Sequence, residues 1–256
     1  MPKGKPSCGL VWMHGLGDDE SGWADALEDS FDLKGLKSSG SCRFILPRAP
    51  RQRVTCNGGE TMTSWFDFLK LPLSASDAGK SDNPGCSLEE AVASCGRVHA
   101  AIDTLVGEGI PAERIVVGGF SQGGAMASWT LPLATPRQHA VSEVRLHVQY
   151  AVSSKALLST LTYPQRLGGV IVFSGLCFFG EHVAKLVDTP QCRELKVFWG
   201  HGNRDKVLHP SLQDMGVEAL RHAGVSVVAT KYEVEHGNTQ QEMDDAAAFF
   251  ASVVGA

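Results

Sequence analysis

Short apolar runs alternate with longer amphipathic segments along the 256 residues of the chain. This alternation is typical of parallel strands joined by crossover helices. The apolar runs are rich in Val and Ile and do not alternate strictly with polar residues, as expected of strands buried on both faces. The predicted strands are Gly9–Met13, Arg43–Leu46, Arg114–Gly119, Gly169–Phe173, Lys196–Trp199 and Val225–Val234. The pattern therefore predicts a single α/β domain over residues 1–256, with helices on both faces of a mostly parallel central sheet.

Three amphipathic segments give the clearest helix signals. In Ser87–Gly107, Ser87 and Glu90 have the spacing of a capping box, and apolar residues recur at the helical period. A second helix is predicted from about Ser211 to His222. The third is Thr239–Val254, whose apolar stripe can pack against the sheet.

Two stretches break this rhythm. Leu71–Gly85 is rich in Ser, Asp, Gly and Pro, which predicts a long surface loop. The stretch at about 131–163 contains two prolines and no decisive periodicity. It is predicted to be an insertion with a short helix or hairpin of its own.

The composition narrows the class of protein. The formal charge is -5, from 28 acidic and 23 basic residues, and there is no long basic run. The electrostatic footprint of a nucleic-acid-binding protein is therefore missing, and small-molecule or peptide-borne substrates are expected instead. The sequence contains neither the ~20 consecutive apolar residues of a membrane span nor a signal-peptide core. We therefore expect a cytoplasmic protein and leave only transient contact with a membrane surface open.

The seven cysteines form neither a CxxC pair nor a zinc-like spacing. We therefore expect reduced thiols, no metal and no cofactor. Cys8 lies near the amino terminus and is left open as a site of S-acylation.

The strongest chemical signal is centred on Ser121. A serine hydroxyl is a weak nucleophile at neutral pH, so it requires a base at hydrogen-bond distance and a position that substrate can reach. Residues 119–123, of sequence GFSQG, lie between a predicted strand and a predicted helix at Gln122–Trp129. The glycines leave room for a strained turn, and the helix amino terminus presents N–H groups to developing negative charge. This setting predicts that Ser121 is the nucleophile of an α/β-hydrolase.

The acid and the base are expected on later loops, because in α/β-hydrolases they follow the nucleophile in that order. Asp205 is the single carboxylate in the turn-rich loop after the predicted strand Lys196–Trp199, and is the expected acid. His236 lies between the strand ending near Val234 and the last helix, and is the expected base. The competing acids are Asp188, Asp214 and Glu235, and the competing histidines are His201, His209 and His222.

An oxyanion hole requires two donors, one directly after the nucleophile and one from a loop after an early strand. The first expected donor is the Gln122 backbone N–H. The first strand runs into residues 14–18, of sequence HGLGD, whose glycines allow the backbone to turn back over the site. The Leu16 N–H is the expected second donor, with Gly15 and Gly17 as the alternatives.

Together these motifs resemble the acyl-protein thioesterase and carboxylesterase family, lysophospholipase-like serine hydrolases of the α/β-hydrolase fold. The resemblance runs over nearly the whole chain. The matching segments are residues 13–18 (MHGLGD), 22–23 (GW), 47–50 (PRAP), 64–67 (SWFD), 109–115 (GIPAERI), 118–124 (GGFSQGG), 201–205 (HGNRD) and 240–243 (QQEM). The resemblance implies a catalytic triad of Ser121, Asp205 and His236, with Leu16 and Gln122 as oxyanion donors.

The resemblance also implies a substrate class. Family members remove long-chain acyl groups, often palmitate, from cysteine thioesters on proteins, and hydrolyse lysophospholipids and simple esters. The implied acyl channel has four candidate lining residues, Trp65, Leu71, Leu73 and Leu176. The alternatives are a broad carboxylesterase or lysophospholipase, and a non-catalytic binding module of the same fold. The sequence does not fix the oligomeric state.

This chain departs from the family pattern in two places. Beside Asp205 it has Asn203 and Lys206 where many members have Asp and Pro. The stretch at about 131–163 is also longer than in typical members. These departures concern the choice of substrate more than the chemistry.

Overall fold

A computed structural model describes residues 5–31, 42–78, 87–129, 163–177 and 194–255. Apart from Tyr163, the predicted insertion at about 131–163 lies outside the described residues. The alternative acid Asp188 and the second half of the predicted loop Leu71–Gly85 also lie outside them.

Eight strands occur within the described residues. They are β1 (Cys8–Met13), β2 (Cys42–Ile45), β3 (Arg51–Val54), β4 (Glu60–Thr63), β5 (Ile115–Phe120), β6 (Gly169–Phe173), β7 (Lys196–Gly202) and β8 (Ser226–Tyr232). Six of them form one sheet in the order β2-β1-β5-β6-β7-β8, and every neighbouring pair is parallel. The six predicted strands are thus confirmed, and their carboxyl ends share one edge of the sheet.

The helices are α1 (Ser21–Phe31), α2 (Ala75–Ala78), α3 (Leu88–Gly107), α4 (Gln122–Trp129), α5 (Ser211–His222) and α6 (Gln240–Val254). The three predicted amphipathic helices correspond to α3, α5 and α6. Ser87 caps α3 by accepting the Glu90 N–H at 3.4 Å, and Thr239 caps α6 by accepting the Glu242 N–H at 3.1 Å. Each cap satisfies an amide that the first helical turn leaves without a carbonyl.

Two hydrophobic clusters lie on opposite faces of the sheet, because successive residues of a strand point to opposite sides. The first cluster joins Val117, Val172 and Trp199 to the buried faces of α3, α4 and α5. The second joins Trp12, Ile171 and Phe198 to α1 and α6. Helices therefore cover both faces of a parallel sheet, as predicted.

The structure contains three described elements that the sequence pattern did not predict. The antiparallel hairpin β3–β4 has one buried residue in each strand, Val54 and Thr63, so it lacks an apolar alternation. Helix α1 buries Trp23, Leu27 and Phe31 at helical spacing within only 11 residues. The short α2 lies inside the predicted surface loop.

Cys8 is part of the sheet. It begins β1, is 1% exposed, and is the register partner of Cys42 in β2. The side chain lies in the second hydrophobic cluster, where a fatty acyl chain has no room, which argues against S-acylation of Cys8 in the folded protein. Among the described residues, no helix is long and apolar enough to cross a membrane.

Candidate active site

Ser121 lies at the sharp turn between β5 and α4. Its φ of 55° falls in the left-handed region, where a residue other than glycine is strained. The Ser121 N–H donates to the Phe173 carbonyl of β6 at 2.8 Å, which holds this turn against the neighbouring strand. The turn therefore presents the side chain at the carboxyl edge of the sheet.

The glycines on either side of Ser121 are required by close packing. A Cβ on Gly123 would lie 2.1 Å from the Met13 carbonyl oxygen, and one on Gly119 would lie 2.5 Å from the Gly123 carbonyl oxygen. No real Cβ tolerates either distance. The turn that carries Ser121 is consequently pressed against the end of β1.

Three predicted side chains are joined by hydrogen bonds. His236 Nε2 lies 2.8 Å from Ser121 Oγ, and His236 Nδ1 lies 2.7 Å from Asp205 Oδ2. Because an ionised carboxylate only accepts hydrogen bonds, Nδ1 carries the imidazole proton and Nε2 can accept from the serine hydroxyl. The Phe120 ring packs on the imidazole with the ring centroids 5.0 Å apart. This arrangement can remove the proton from Ser121 Oγ.

The carboxylate of Asp205 is buried and held from several sides. Its Oδ1 accepts the backbone N–H groups of Val207 at 2.8 Å and Leu208 at 2.9 Å. Burial by itself raises the pKa of Asp205, but hydrogen bonds from His201 and His236 lower it by more. The net result is a pKa well below the usual range, so Asp205 is ionised at neutral pH.

Backbone contacts join the loop of Asp205 to the loop of His236. The Asn203 N–H donates to the Tyr232 carbonyl at 2.8 Å, and the Arg204 N–H donates to the Val234 carbonyl at 3.1 Å. A Cβ on Gly202 would lie 2.1 Å from the Glu235 carbonyl oxygen. The backbones of the two loops are thus in direct contact, and this contact fixes the spacing between the carboxylate and the imidazole.

The competing residues among those described lie elsewhere or have other partners. Glu235 is exposed and pairs with Lys206, while Asp214 pairs with Lys231 on the outer surface of α5. His201 is buried, and its Nε2 donates to the Leu208 carbonyl at 2.8 Å while lying 3.4 Å from Asp205 Oδ2, so it supports both the loop and the charge of Asp205. His209 contacts Ser211 and His222 is exposed in the last turn of α5.

The loop after β1 lies beside Ser121. A Cβ on Gly15 would lie 3.6 Å from the Ser121 Cβ. The Gly17 N–H already donates to the Thr63 carbonyl at 2.8 Å, so it is not available to a second acceptor in this conformation. This leaves Leu16 and Gly15 as the candidate donors of the loop, and disfavours Gly17.

The Gln122 side chain, which the sequence did not single out, is fully buried and connects the nucleophile turn to residues 64–66. Its Nε2 donates to Ser64 Oγ at 3.0 Å and to the Phe66 carbonyl at 2.6 Å. Its Oε1 accepts the Trp65 backbone N–H at 2.9 Å. Gln122 therefore has a structural role in addition to the one expected of its backbone.

The four residues expected to line an acyl channel have different environments. Trp65, Leu73 and Leu176 are 0–1% exposed and belong to the first hydrophobic cluster. They are core residues in this structure, and their contact with an acyl chain stays a prediction. Leu71 is half-buried and packs at the margin of the same cluster. The indole N–H of Trp65 donates to the His14 carbonyl at 2.9 Å.

A further buried acid lies close to the site and was not predicted. Glu242, in the first turn of α6, is 0% exposed, and within the described part of the chain neither carboxyl oxygen has a hydrogen-bond partner of normal geometry. Burial raises the pKa of Glu242 to about 8, although the Thr239 amide partly opposes this. In the sequence Glu242 stood out only as part of the matching segment 240–243, and nothing there marked its burial.

Comparisons with known proteins agree with this architecture. The model of the phospholipase/carboxylesterase family matches residues 1–141 and 153–254. An acyl-protein thioesterase 1 of Mycosarcoma maydis is 32% identical over 98% of this chain and 93% of its own. A probable carboxylesterase of rice is 32% identical over 91% of this chain and 73% of its own length. A probable inactive carboxylesterase of rice is 30% identical over 92% of this chain and 80% of its own length. SOBER1 of Arabidopsis thaliana has a solved structure with a TM-score of 0.69 and 25% identity, covering 96% of this chain and 99% of its own.

The chain belongs to the phospholipase/carboxylesterase family and has the α/β-hydrolase fold. This defines its class as that of hydrolases acting on acyl esters or thioesters. The family model leaves residues 142–152 unmatched. This stretch falls inside the predicted insertion at about 131–163 and is shorter than it.

Proposed function

We propose that this protein is a cytoplasmic serine hydrolase that removes long-chain acyl groups, especially palmitoyl, from cysteine thioesters on proteins. The observation that carries the proposal is the hydrogen-bonded chain from Ser121 Oγ through His236 to Asp205, with distances of 2.8 and 2.7 Å. Relatives named acyl-protein thioesterase, similar over nearly the full chain, support the choice of substrate.

In the proposed reaction, Ser121 Oγ attacks the acyl carbonyl carbon while His236 Nε2 takes its proton. Asp205 holds the imidazole in the required tautomer and stabilises the imidazolium that forms. The backbone N–H groups of Leu16 and Gln122 donate to the oxyanion of the tetrahedral intermediate. The geometry favours this sequence because the required tautomer is the one that the Asp205 contact selects.

The second half of the reaction uses the same groups. His236 returns its proton to the departing thiolate or alcohol, which leaves an acyl group bonded to Ser121. A water molecule, deprotonated by His236, then attacks the acyl carbonyl, and His236 gives that proton to Ser121 Oγ as the fatty acid is released. No step requires a group beyond the residues of this chain and water.

A broad carboxylesterase or lysophospholipase is the second candidate function. It is favoured by the relatives named carboxylesterase and by the description of the family itself. A non-catalytic binding module is the third candidate, because one relative is named a probable inactive carboxylesterase. These candidates differ in measurable behaviour.

Replacement of the nucleophile tests whether the protein is a serine hydrolase at all. Ser121→Ala should lower turnover of a p-nitrophenyl ester by on the order of 10⁶ and abolish labelling by a fluorophosphonate probe. Ser128→Ala is a matched control, because Ser128 is buried on the same helix but bonds to the Ala125 and Leu176 carbonyls. Activity surviving in Ser121→Ala would exclude the proposed nucleophile, and an unlabelled wild-type protein would favour the non-catalytic module.

A substrate panel distinguishes the enzymatic candidates. The wild-type protein and Ser121→Ala are assayed on a palmitoyl-cysteine peptide, a palmitoyl lysophospholipid and a short-chain p-nitrophenyl ester. We expect kcat/KM to be highest for the palmitoyl-cysteine peptide. A higher value for the short-chain ester or the lysophospholipid would replace depalmitoylation with the corresponding alternative.

A further inference from the structure

Three tryptophans are among the largest fully buried side chains, and their indole N–H groups differ. Those of Trp12 and Trp199 have no hydrogen-bond partner among the described residues. The indole of Trp65 donates at 2.9 Å to the His14 carbonyl, at the start of the loop that borders Ser121. A buried N–H that makes a hydrogen bond stabilises the fold more than one that makes none. The contact with His14 therefore distinguishes Trp65 from the other two tryptophans.

Trp65 is itself fixed relative to the nucleophile turn. Its backbone N–H donates to Gln122 Oε1 at 2.9 Å, and its carbonyl accepts the Ser94 hydroxyl. The residues on either side of it, Ser64 and Phe66, are both bonded to the Gln122 amide. The indole therefore holds the His14 carbonyl at a position defined by the turn that carries Ser121.

The orientation of the loop peptides follows from two anchored carbonyls. A trans peptide is planar, with its C=O and N–H pointing in opposite directions. The His14 carbonyl, held by Trp65, thus fixes the direction of the Gly15 N–H. The Gly15 carbonyl accepts His14 Nδ1–H at 2.7 Å, and this fixes the direction of the Leu16 N–H in the same way.

The His14 ring depends on the same support. Its Nε2 accepts the Ala49 N–H at 3.1 Å, which leaves the proton on Nδ1. The ring lies against the Trp65 indole with the centroids 5.3 Å apart. Burial lowers the pKa of His14, consistent with a neutral ring that keeps this single tautomer.

We propose that Trp65 is a positioning residue of the oxyanion hole: its indole N–H holds the loop after β1 so that the loop amides face the developing oxyanion. This inference rests on the proposed function. It assigns to Trp65 a role opposite in kind to the acyl contact expected from the sequence. The residue acts on the reaction through the backbone of another segment, without touching the substrate.

Trp65→Phe removes the indole N–H and retains an aromatic ring. Loss of a direct oxyanion donor costs 10²–10³ in kcat, so loss of a supporting contact should lower kcat by roughly 10- to 100-fold. KM should stay within about 3-fold, because the contact matters in the transition state and not in ground-state binding. Affinity for an alkyl trifluoromethyl ketone, which forms a tetrahedral adduct on serine, should fall by the same factor as kcat.

Trp199→Phe is the matched control, since it removes a buried indole N–H that has no partner. If Trp65→Phe is too unstable to assay, 3-benzothienylalanine at position 65 removes the N–H while keeping the ring shape. An unchanged kcat in the folded variant, or an equal kcat loss in Trp199→Phe, would overturn the proposal. Fluorophosphonate labelling of the wild-type protein tests the proposed function separately from the role of Trp65. Absence of labelling would count against the triad and not against the positioning role of Trp65.

Discussion

Two carboxyl groups are buried next to β7, and the protein surrounds them in opposite ways. Asp205 follows the strand and receives two backbone N–H groups and an imidazole. Glu242, at the start of α6, lies so close to the strand that a Cβ on Gly200 would be 2.0 Å from its Oε1, yet its oxygens have no hydrogen-bond partner of normal geometry among the described residues. Burial raises the pKa in both places, and only the hydrogen-bond donors around Asp205 reverse the effect.

The difference shows how one edge of a sheet accommodates a charged and a neutral acid side by side. Backbone N–H groups of the loop after β7 donate to Asp205, so its negative charge is stabilised beside the His236 imidazole. At Glu242, the side chain fills space between the helix and the strand, and it stays protonated at neutral pH. Both side chains are almost fully buried, so the difference in charge comes from the hydrogen-bond donors around each carboxyl group.

Of the two buried acids, Asp205 should give the larger effect when its charge is removed. Asp205→Asn should lower kcat by about 10⁴, because the amide cannot stabilise an imidazolium and can select the wrong tautomer. Asp214→Asn, an exposed acid paired with Lys231, is the control and should keep its kcat. A steady-state assay at pH 7.5 measures both. Near-normal turnover in Asp205→Asn would mean that the contact with His236 has no role in catalysis.

A smaller and pH-dependent effect is expected at Glu242. The folded pKa of about 8 exceeds the usual value, so this group stabilises the fold fully below pH ~4.5 and the contribution is lost as pH rises through about 8. Glu242→Gln removes this loss. Relative to wild type, the free energy of unfolding of the variant should rise with pH by up to about 1.4 kcal/mol per pH unit within that window.

Urea unfolding at pH 5, 6, 7 and 8 measures this slope, with the exposed Glu218→Gln as control. Curves for Glu242→Gln and wild type that run parallel over the whole range would show that the Glu242 carboxyl is not held neutral. The comparison between the two buried acids would then fail.

The smallest effect is expected where α6 begins. Thr239 accepts the Glu242 N–H at 3.1 Å, and Thr239→Ala should cost about 1 kcal/mol of stability at pH 5, where Glu242 is protonated in either variant. Ser252→Ala, near the exposed end of the same helix, is the control. Thermal unfolding measures both, and an unchanged Tm for Thr239→Ala would show that the cap does not hold the turn that buries Glu242.

Much of the fold could be predicted because its signals are local. The valine-rich strands and the capped helices α3 and α6 carry their periodicity in the sequence itself. Ser121 was marked by flanking glycines that the packing against β1 requires, and the order of loops along the chain pointed to Asp205 and His236. The structure brings those three side chains into hydrogen-bond contact, while their catalytic roles remain predictions.

The rest depended on contacts between distant segments, which no local pattern encodes. Trp65 was predicted to line the acyl channel that the family resemblance implies, and no local pattern indicated that its indole N–H donates to the His14 carbonyl. Glu242 drew no separate prediction from the sequence. Its burial follows from the absence of a side chain at Gly200, a residue more than forty positions away in the chain.

Gln122 connects two segments of the site. Its backbone belongs to the nucleophile turn, and its side chain is bonded to all three residues of the segment 64–66. The turn and that segment must therefore be exchanged together if either is transplanted into a related hydrolase. A chimaera that carries only one of them would leave buried amide groups without partners and should be inactive despite an intact triad.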